Sequence, residues 1–235
     1  MEDMHEGSTG QSRRHPWGSP GATARTRLHR IPENAVTDRA TVHAILDDGL
    51  VAHVGIVGDA SQPYVLPVGY ARVDEQLLFH GSSASRLFRA LAVGAPACAT
   101  VTILDGMVLA RSGFESSMNY RCVMVLGRCT VVEAENKVRA LENISDHLLP
   151  GRWVDIRPPN AKELRATLVL SLSLEECSAK ISAGGPDDLE EDLDRPVWAG
   201  VMPLMRTWGT PIAAPDLRFD LPAPEYLDDW VARGS

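Results

Sequence analysis

Short apolar runs separated by turn-forming residues dominate the first third of the chain. The runs at residues 50–58 and 63–73 are rich in Val and Ile, and the segment from Gly58 to Ser61 between them is turn-like. A third run, residues 76–79, follows after a very short turn. Links this short suit antiparallel neighbours, because parallel strands need a long crossover connection. The pattern therefore predicts three successive antiparallel strands.

The rest of the chain continues this pattern with few helices. In chain order we predict a strand at residues 96–104, a hairpin turn at Asp105 and Gly106, a returning strand at 107–111, a polar loop at 112–119, the longest strand at 120–133, a helix at 134–149 and a strand at 165–174. About seven strands with sparse helices indicate a closed or partly closed antiparallel β-barrel.

Two further helices are predicted near the start of the barrel. Thr37 can cap the first one, Asp38 suits its first turn, and Gly49 ends it after three apolar residues at helical spacing. The second helix is predicted to begin after Ser85 and to end near Gly94.

The stretch from residue 75 to residue 101 contains a candidate anion site. Ser82, Ser83 and Ser85 are small hydroxyl residues placed where the second helix begins. Arg86 lies in the first turn of that helix, which is the unfavourable end for a cation. Strand, serine-rich turn, helix start and arginine together suit a phosphate group. An ordinary capped helix with a solvated arginine is the alternative interpretation.

Composition divides the chain into three predicted segments. Residues 1–26 are rich in Gly, Ser, Pro, His and Arg and are expected to form a disordered leader. Residues 27–185 are expected to form one domain. Residues 186–235 carry four basic against 11 acidic residues and are expected to form an irregular arm lying over the barrel or a partner subunit. Because basic residues are scattered and outnumbered, with a net charge of −8, nucleic-acid binding is not expected.

The cysteines and the apolar runs indicate the compartment. Cys98, Cys122, Cys129 and Cys177 lie in apolar, strand-like runs without CxxC spacing, which suits buried thiols in a reducing cytoplasm rather than a metal site or a disulfide framework. The sequence has no run of 18 apolar residues and no signal-like start. We therefore expect a cytoplasmic protein that binds neither a membrane nor a structural metal.

Several short motifs occur in an order that resembles a known family. They are RATVHAILDDG, QPYVLPVGY, LLFHGSSASR, ATVTILDGMVLARS, NYRCVMVLGRCTVV, PGRW followed by Arg157, and a final ECSAKI. Across residues 31–208 this arrangement resembles the pyridoxamine 5′-phosphate oxidase-like flavoproteins, the FMN-binding split-barrel superfamily. Within it, the similarity is to small flavin-nucleotide-binding proteins grouped with nitroimidazole reductases.

The resemblance implies a mainly β fold with peripheral helices: a homodimer of six-stranded antiparallel Greek-key split β-barrels, with FMN in the clefts between the subunits. It implies the following cofactor-contacting residues: Tyr64, Val65, Leu66, Pro67, Val68, Phe79, His80, Ser82, Ser85, Arg86, Tyr120, Arg121, Cys122 and Trp153. In these roles the strand 64–69 runs along the isoalloxazine edge, Ser85 and Arg86 hold the phosphate, and Arg121 reaches the ribityl chain or the phosphate. His80 is the candidate catalytic proton donor beside the flavin.

Other roles remain open for some of these residues. His80 could be a structural histidine that bonds a loop carbonyl, and Arg121 could form a surface ion pair. Trp153 could stack on the cofactor or pack in the core or an interface.

The sequence also departs from the true oxidases. Leu87 stands where they carry a second basic residue, and Cys122 stands where they place a glutamine. Their C-terminal Trp and Arg have no clear counterpart. Oxidation of pyridoxamine phosphate is therefore not expected.

Three functions fit the resemblance. The first is a flavin-dependent reductase that passes hydride from NADH or NADPH to a small electron-poor acceptor, such as a nitro compound or a quinone. The second is an FMN carrier or sensor without turnover. The third is a split barrel that binds deazaflavin F420 or haem instead of FMN. Because the sequence has no GxGxxG motif, a nicotinamide would have to stack directly on the flavin.

Overall fold

The computed structural model describes residues 18–233. This part of the chain contains the strands β1 (Ala35–Val36), β2 (Val51–Val57), β3 (Pro63–Val73), β4 (Gln76–Ser82), β5 (Pro96–Leu109), β6 (Ser117–Arg128), β7 (Thr130–Val131), β8 (Thr167–Ser173), β9 (Cys177–Ser182) and β10 (Gly200–Pro203). Its α-helices are α1 (Arg39–Asp48), α2 (Arg86–Ala92), α3 (Ala134–Leu148), α4 (Ala161–Ala166) and α5 (Tyr226–Arg233). Short 3-10 helices lie at Pro32–Asn34, Asp59–Ser61, Trp153–Asp155 and Glu190–Asp192.

The strands form one antiparallel sheet that curls into a split barrel. Their order is β1-β9-β6-β5-β2-β3-β4-β8-β7, and β10 pairs with the far end of β5. The sheet closes where β6 approaches β8, and a Cβ atom on Gly127 would lie only 2.9 Å from Leu172. The predicted mainly β, antiparallel split-barrel fold is confirmed. None of the helices in residues 18–233 combines the length and hydrophobicity that crossing a bilayer requires.

Alternating side chains fill the barrel. In β2, Ala52, Val54 and Ile56 are buried, whereas Val51 and Val57 at the two ends of the strand are exposed. This period of two buries one face of each strand and leaves the other for solvent or a partner. A second, smaller cluster lies outside the barrel wall, where α3 packs on β3, β4 and β8; its buried members are Ala71, Leu78, Ala140, Ile144 and Val169.

The predicted hairpin at Asp105 and Gly106 is wrong. β5 runs through this point as a single strand of 14 residues, and only its register against β6 shifts, between Leu104 and Gly106. An Asp-Gly pair suits a hairpin turn, but a glycine also suits a β-bulge. Here β5 continues past the Asp-Gly pair, with strand partners on both sides of it, and Arg121 of β6 binds the Asp105 carboxylate.

Strand β6 also differs from its prediction. It begins at Ser117, inside the segment predicted as a loop, and it ends at Arg128. β5, and not the predicted 120–133 segment, is therefore the longest described strand. The extra residues of β6 pair with the far half of β5, so β5 and β6 stay paired beyond the point where a hairpin was predicted.

The segments that flank the domain make contacts with it. At the amino-terminal side, the Gly21 N–H donates to the Cys177 carbonyl at 2.8 Å, and the Gly18 carbonyl accepts from Arg39. The predicted disordered leader lies outside the described residues as far as residue 17. The C-terminal arm, predicted to be irregular, contains β10 and α5.

The cap of α1 also differs from its prediction. Asp38 caps this helix, in place of the predicted Thr37.

Candidate functional site

The barrel opens between β3 and β4. Only Tyr70–Val73 of β3 pair with β4, whereas residues 63–69 pair with β2 alone. β4 meanwhile pairs along its whole length with β8. Within the described residues, the first half of β3 therefore presents an edge that has no strand partner. The main-chain N–H and C=O groups of such an edge can bind an extended or planar ligand.

The predicted flavin-facing strand, residues 64–68, coincides with this edge. Val65 is 63% exposed and Leu66 is 46% exposed, although both lie in the middle of a strand. Exposed apolar residues beside unpaired main-chain groups suit a flat ring with a polar rim. This half of β3 is the core of the candidate site.

Arg86 extends from the start of α2 over the beginning of β3. Its guanidinium carbon lies 4.3 Å from the centre of the Tyr64 ring, and Nη1 donates to the Tyr64 hydroxyl at 3.1 Å. Among the described residues no carboxylate lies within ion-pairing distance of Arg86, although the protein has an excess of acidic residues. Arg86 therefore keeps donors that an anion could accept.

The serine-rich turn has the predicted position but different bonds. Ser85 is the N-cap residue of α2, yet its side chain makes no capping bond. The Ser82 hydroxyl accepts from the Ala84 N–H at 3.2 Å, and the Ser83 N–H donates to the Ala166 carbonyl. Leu87 is 3% exposed, so the position where the oxidases carry a second cation belongs to the core here.

His80 lies on β4 just beyond the last residue that pairs with β3. Its neighbour across the strand is Val169 of β8, and no hydrogen bond involves its ring within the described residues. Desolvation lowers the pKa of His80 below the ordinary histidine value, although part of the residue remains exposed. The imidazole is therefore mainly neutral at neutral pH, and its catalytic role stays a prediction.

Arg121 is engaged elsewhere. Its Nε and Nη2 donate to the Asp105 carboxylate at 2.9 and 2.7 Å, and its Nη1 donates to Asp48 at 2.8 Å. These bonds raise the pKa of Arg121, chiefly through Asp105. The guanidinium therefore has two ion-pair partners, Asp105 and Asp48. This agrees with the alternative role of Arg121 in a surface ion pair. Its contact with a cofactor stays a prediction.

The remaining predicted residues are spread over the barrel. Tyr120 pairs with Leu104 and Ser182, and the Cys122 thiol accepts from the Thr102 hydroxyl at 3.6 Å. Trp153 begins a 3-10 helix and is half-buried. Within residues 18–233, neither hydrogen bonds nor ring contacts join these residues to Arg86. The structure thus brings together the β3 edge, Arg86 and the end of β4. The predicted cofactor residues of β6, which are Tyr120, Arg121 and Cys122, do not join them.

A pocket that the sequence reasoning missed lies around Arg121. It has a volume of about 530 Å³ and is lined by the ends of α1 and α3, by Leu104 and Asp105 of β5, by residues 204–208 and by Trp230. One feature of the sequence, a pair of acidic residues at a helix end, indicates a charged site there. Asp47 and Asp48 end helix α1, the unfavourable end for acidic residues, and such residues need cationic partners.

Comparison with known proteins gives a consistent result. A protein-family profile described as pyridoxamine 5′-phosphate oxidase matches residues 38–181. The solved FAD and heme binding protein from Mycobacterium smegmatis is 40% identical, with a TM-score of 0.81 over 84% of this chain and 97% of that one. The flavocytochrome Anf3 from Azotobacter vinelandii is 41% identical, with a TM-score of 0.83 over 91% of this chain and 98% of that one.

No curated protein sequence matches significantly. The matched family segment nevertheless covers more than half of the chain and contains the unpaired edge of β3, His80 and Arg86. The chain therefore belongs to the pyridoxamine 5′-phosphate oxidase-like family of split-barrel proteins.

Proposed function

We propose that this protein is a flavin-binding redox protein whose flavin lies along the unpaired half of β3. The observation that carries the proposal is the position of Arg86, a cation without a carboxylate partner in the described residues, directly beside that edge. A flavin nucleotide has a phosphate at one end and a flat ring with a polar edge at the other. The site offers groups that match both ends.

Each part of the site has a distinct role in this proposal. Arg86 would bind the phosphate, because a guanidinium makes charge-assisted hydrogen bonds to phosphate oxygens. The main chain of residues 64–68 would orient the ring, and exposed Leu66, which projects from the same face of β3 as Tyr64, would cover apolar ring surface. His80 would hold or transfer a proton at its imidazole. When bound, the flavin supplies the redox chemistry.

The form of the flavin is part of the proposal. The motifs resemble FMN-binding proteins, whereas the relative from M. smegmatis is named for FAD. FMN and FAD share the ring, the ribityl chain and the first phosphate, and these are the parts that β3 and Arg86 would contact. We propose FAD in preference to FMN, because that relative is 40% identical over 84% of the chain.

We further propose a reductase reaction, with NADH or NADPH as the hydride donor and a small electron-poor compound, such as a nitro compound or a quinone, as the acceptor. The open edge of β3 supports this proposal, because it leaves access for a second planar molecule. A flavin carrier or sensor is the alternative. It would bind the same cofactor but would not be reduced by a nicotinamide.

We propose that the protein is a homodimer with the cofactor at the subunit interface. Val51, Val57 and Val65 are between 44% and 63% exposed, and all three project from the outer face of the paired strands β2 and β3. An exposed apolar face of this kind is typical of an interface. Light scattering after size exclusion tests this; Val65→Asp is expected to shift a dimer toward monomer.

Haem as a second cofactor is favoured by one specific observation. Two relatives that are at least 40% identical are named as a FAD and heme binding protein and a flavocytochrome. His53 would ligate the iron, because it lies on the same outer face between Pro67 and Thr100 and has no hydrogen-bond partner within the described residues. The purified His53→Ala variant should then lose a Soret band while its flavin bands remain.

An absorption spectrum of the purified protein tests the flavin proposal. Flavin bands are expected, and chromatography of the cofactor released by denaturation should identify FAD. A protein without flavin bands that also fails to bind added FMN or FAD would refute the proposal, and a deazaflavin spectrum would favour F420. Anaerobic bleaching by NADH or NADPH, followed by reoxidation with a nitroimidazole or a quinone, separates the reductase from a carrier.

A further inference from the structure

We propose that the pocket around Arg121 binds an uncharged, planar heteroaromatic ring that carries a carboxamide-like edge. The pocket has a volume of about 530 Å³, within the range of roughly 300–1,000 Å³ that is usual for small-molecule sites. It contains none of the residues of the β3 edge, His80 or Arg86. The proposal therefore does not depend on the flavin assignment.

An aromatic wall forms one side of the pocket. The rings of Trp208 and Trp230 lie 5.4 Å apart and are tilted by 56°. The Trp230 indole N–H donates to the Pro150 carbonyl at 3.0 Å, which fixes the orientation of that ring. Trp208 is 46% exposed, so part of its ring surface is open to a ligand. A flat ring gains most from stacking on such a surface.

Ion pairs form another part of the lining. Asp48 bonds Arg121 at 2.8 Å and Arg206 at 3.2 Å, and Asp105 bonds Arg121. The third carboxylate of the lining, Asp47, is bound by Arg72. Each carboxylate in the lining therefore has a guanidinium partner. A ligand with a net charge would be left without a counterion, whereas an uncharged polar ligand meets balanced charges.

The ion pairs also define the polar edge that the ligand needs. Carboxylate oxygens of Asp48 and Asp105 can accept hydrogen bonds, and the guanidinium of Arg206 can donate. Arg206 is the most exposed of these groups, with 51% of its side chain accessible, and its one ion pair is the longest. An amide places a donor and an acceptor side by side, and so complements both kinds of group.

The fold holds the pocket open before any ligand binds. Strand β10 pairs with β5 from Gly200 to Pro203, and the next N–H, of Leu204, donates to the Asp105 carbonyl at 2.9 Å. These bonds fix the start of residues 204–208, which line the pocket together with the ends of α1 and α3. A pre-formed wall avoids the ordering cost that a mobile segment would add on binding.

Nicotinamide and nicotinate are the probes for the test, because they share one ring and differ in an amide against a carboxylate. The full-length protein with any cofactor it retains is labelled with ¹⁵N, and the tryptophan indole signals are followed. Nicotinamide should shift the signals of Trp208 and Trp230, and nicotinate should bind at least about tenfold more weakly because its carboxylate would find no unpaired cation in the lining. Unmoved indole signals up to the solubility limit, or equal binding of both probes, would overturn the proposal.

Variants locate the binding. Trp208→Ala should abolish the nicotinamide-induced shift at Trp230, and Arg206→Gln should weaken binding several-fold without changing the melting temperature. Phe114→Ala is the matched control, because Phe114 is an aromatic residue that is 89% exposed outside the pocket. If the Trp208→Ala protein does not fold, the effect of Arg206→Gln on nicotinamide binding decides the test. Binding that survives both substitutions would place the nicotinamide elsewhere, for example on the flavin, and would refute the site.

Discussion

Arg86 lies over the ring of Tyr64 and donates a hydrogen bond to its hydroxyl group, so one side chain makes both a cation–π contact and a polar contact with the other. Tyr64 begins the unpaired half of β3, and Arg86 begins the helix that follows β4. The pair therefore links β3 to α2 at the place where the barrel opens. It holds a guanidinium at that opening without neutralising its charge.

Replacement of Arg86 tests the proposed phosphate contact. Arg86→Ala should weaken flavin binding by more than about 1 kcal/mol, because a charge-assisted hydrogen bond is lost. Fluorescence titration of the cofactor-free protein with FMN and FAD measures this. Arg89→Ala is the control, since Arg89 is an exposed arginine of the same helix and should matter little. Equal affinities for the wild type and Arg86→Ala would contradict the contact.

His80 should titrate at a lower pH than an ordinary histidine. Its pKa is lowered by desolvation, so the folded protein binds a proton at this site less readily than the unfolded chain. Its contribution to stability is intact above the unfolded-state pKa of about 6.5 and is lost as the pH falls from there toward the lowered folded-state value.

An NMR titration of the His80 ring proton measures the folded value, with the protein in denaturant as the reference. The folded midpoint should lie below the denatured one. A folded midpoint at or above the denatured one would show that the ring is solvated or has an acidic partner.

The buried pair of Arg39 and Glu75 should contribute strongly to the free energy of unfolding. Their side chains are 8% and 11% exposed, and Arg39 Nη1 donates to Glu75 Oε2 at 2.9 Å. Glu75→Gln leaves the buried guanidinium without its counterion, which should cost about 3 kcal/mol. Urea unfolding measures the change. Asp155→Asn, in an exposed pair with Arg152, should change stability little, and equal effects of both substitutions would refute the prediction.

A side chain at Gly81 should destabilise the protein. A Cβ atom at this position would lie 2.3 Å from the ring of Phe88, which is buried between α2 and the barrel. Gly81→Ala should therefore destabilise the protein by about 1–3 kcal/mol through overpacking. Thermal unfolding measures the loss. Gly185→Ala is the control, because nothing lies within 4 Å of a Cβ there; a neutral Gly81→Ala would mean that α2 shifts freely.

The sequence predicts the strands of the barrel well where the local pattern of residues has a single interpretation. Strands β2, β3 and β4 follow from alternation and short turns, because both depend on local geometry. The ribbon of β5 and β6 was predicted as separate pieces, because Asp105-Gly106 suits a turn and a bulge equally. Strand β10 was not predicted, since four residues carry little periodicity and the edge of β5 that they cover is distant in sequence.

The candidate site was predicted in part for a similar reason. Tyr64, His80 and Arg86 follow from motif positions, but the partner of an arginine depends on the fold. Arg121 has two carboxylates, 16 and 73 residues away in sequence, and no local pattern shows which acidic residues will reach it. The pocket around it, with walls from α1, α3 and the C-terminal arm, could be found only from the assembled chain.

The open half of β3 has a consequence for how relatives of this protein diverge. Its hydrogen-bonding groups belong to the main chain, which every residue other than proline carries in full. Substitutions between Tyr64 and Gly69 that keep the strand extended leave those groups in place. Drift in this segment can therefore erase the sequence motif while the main-chain groups presented to a bound molecule stay the same.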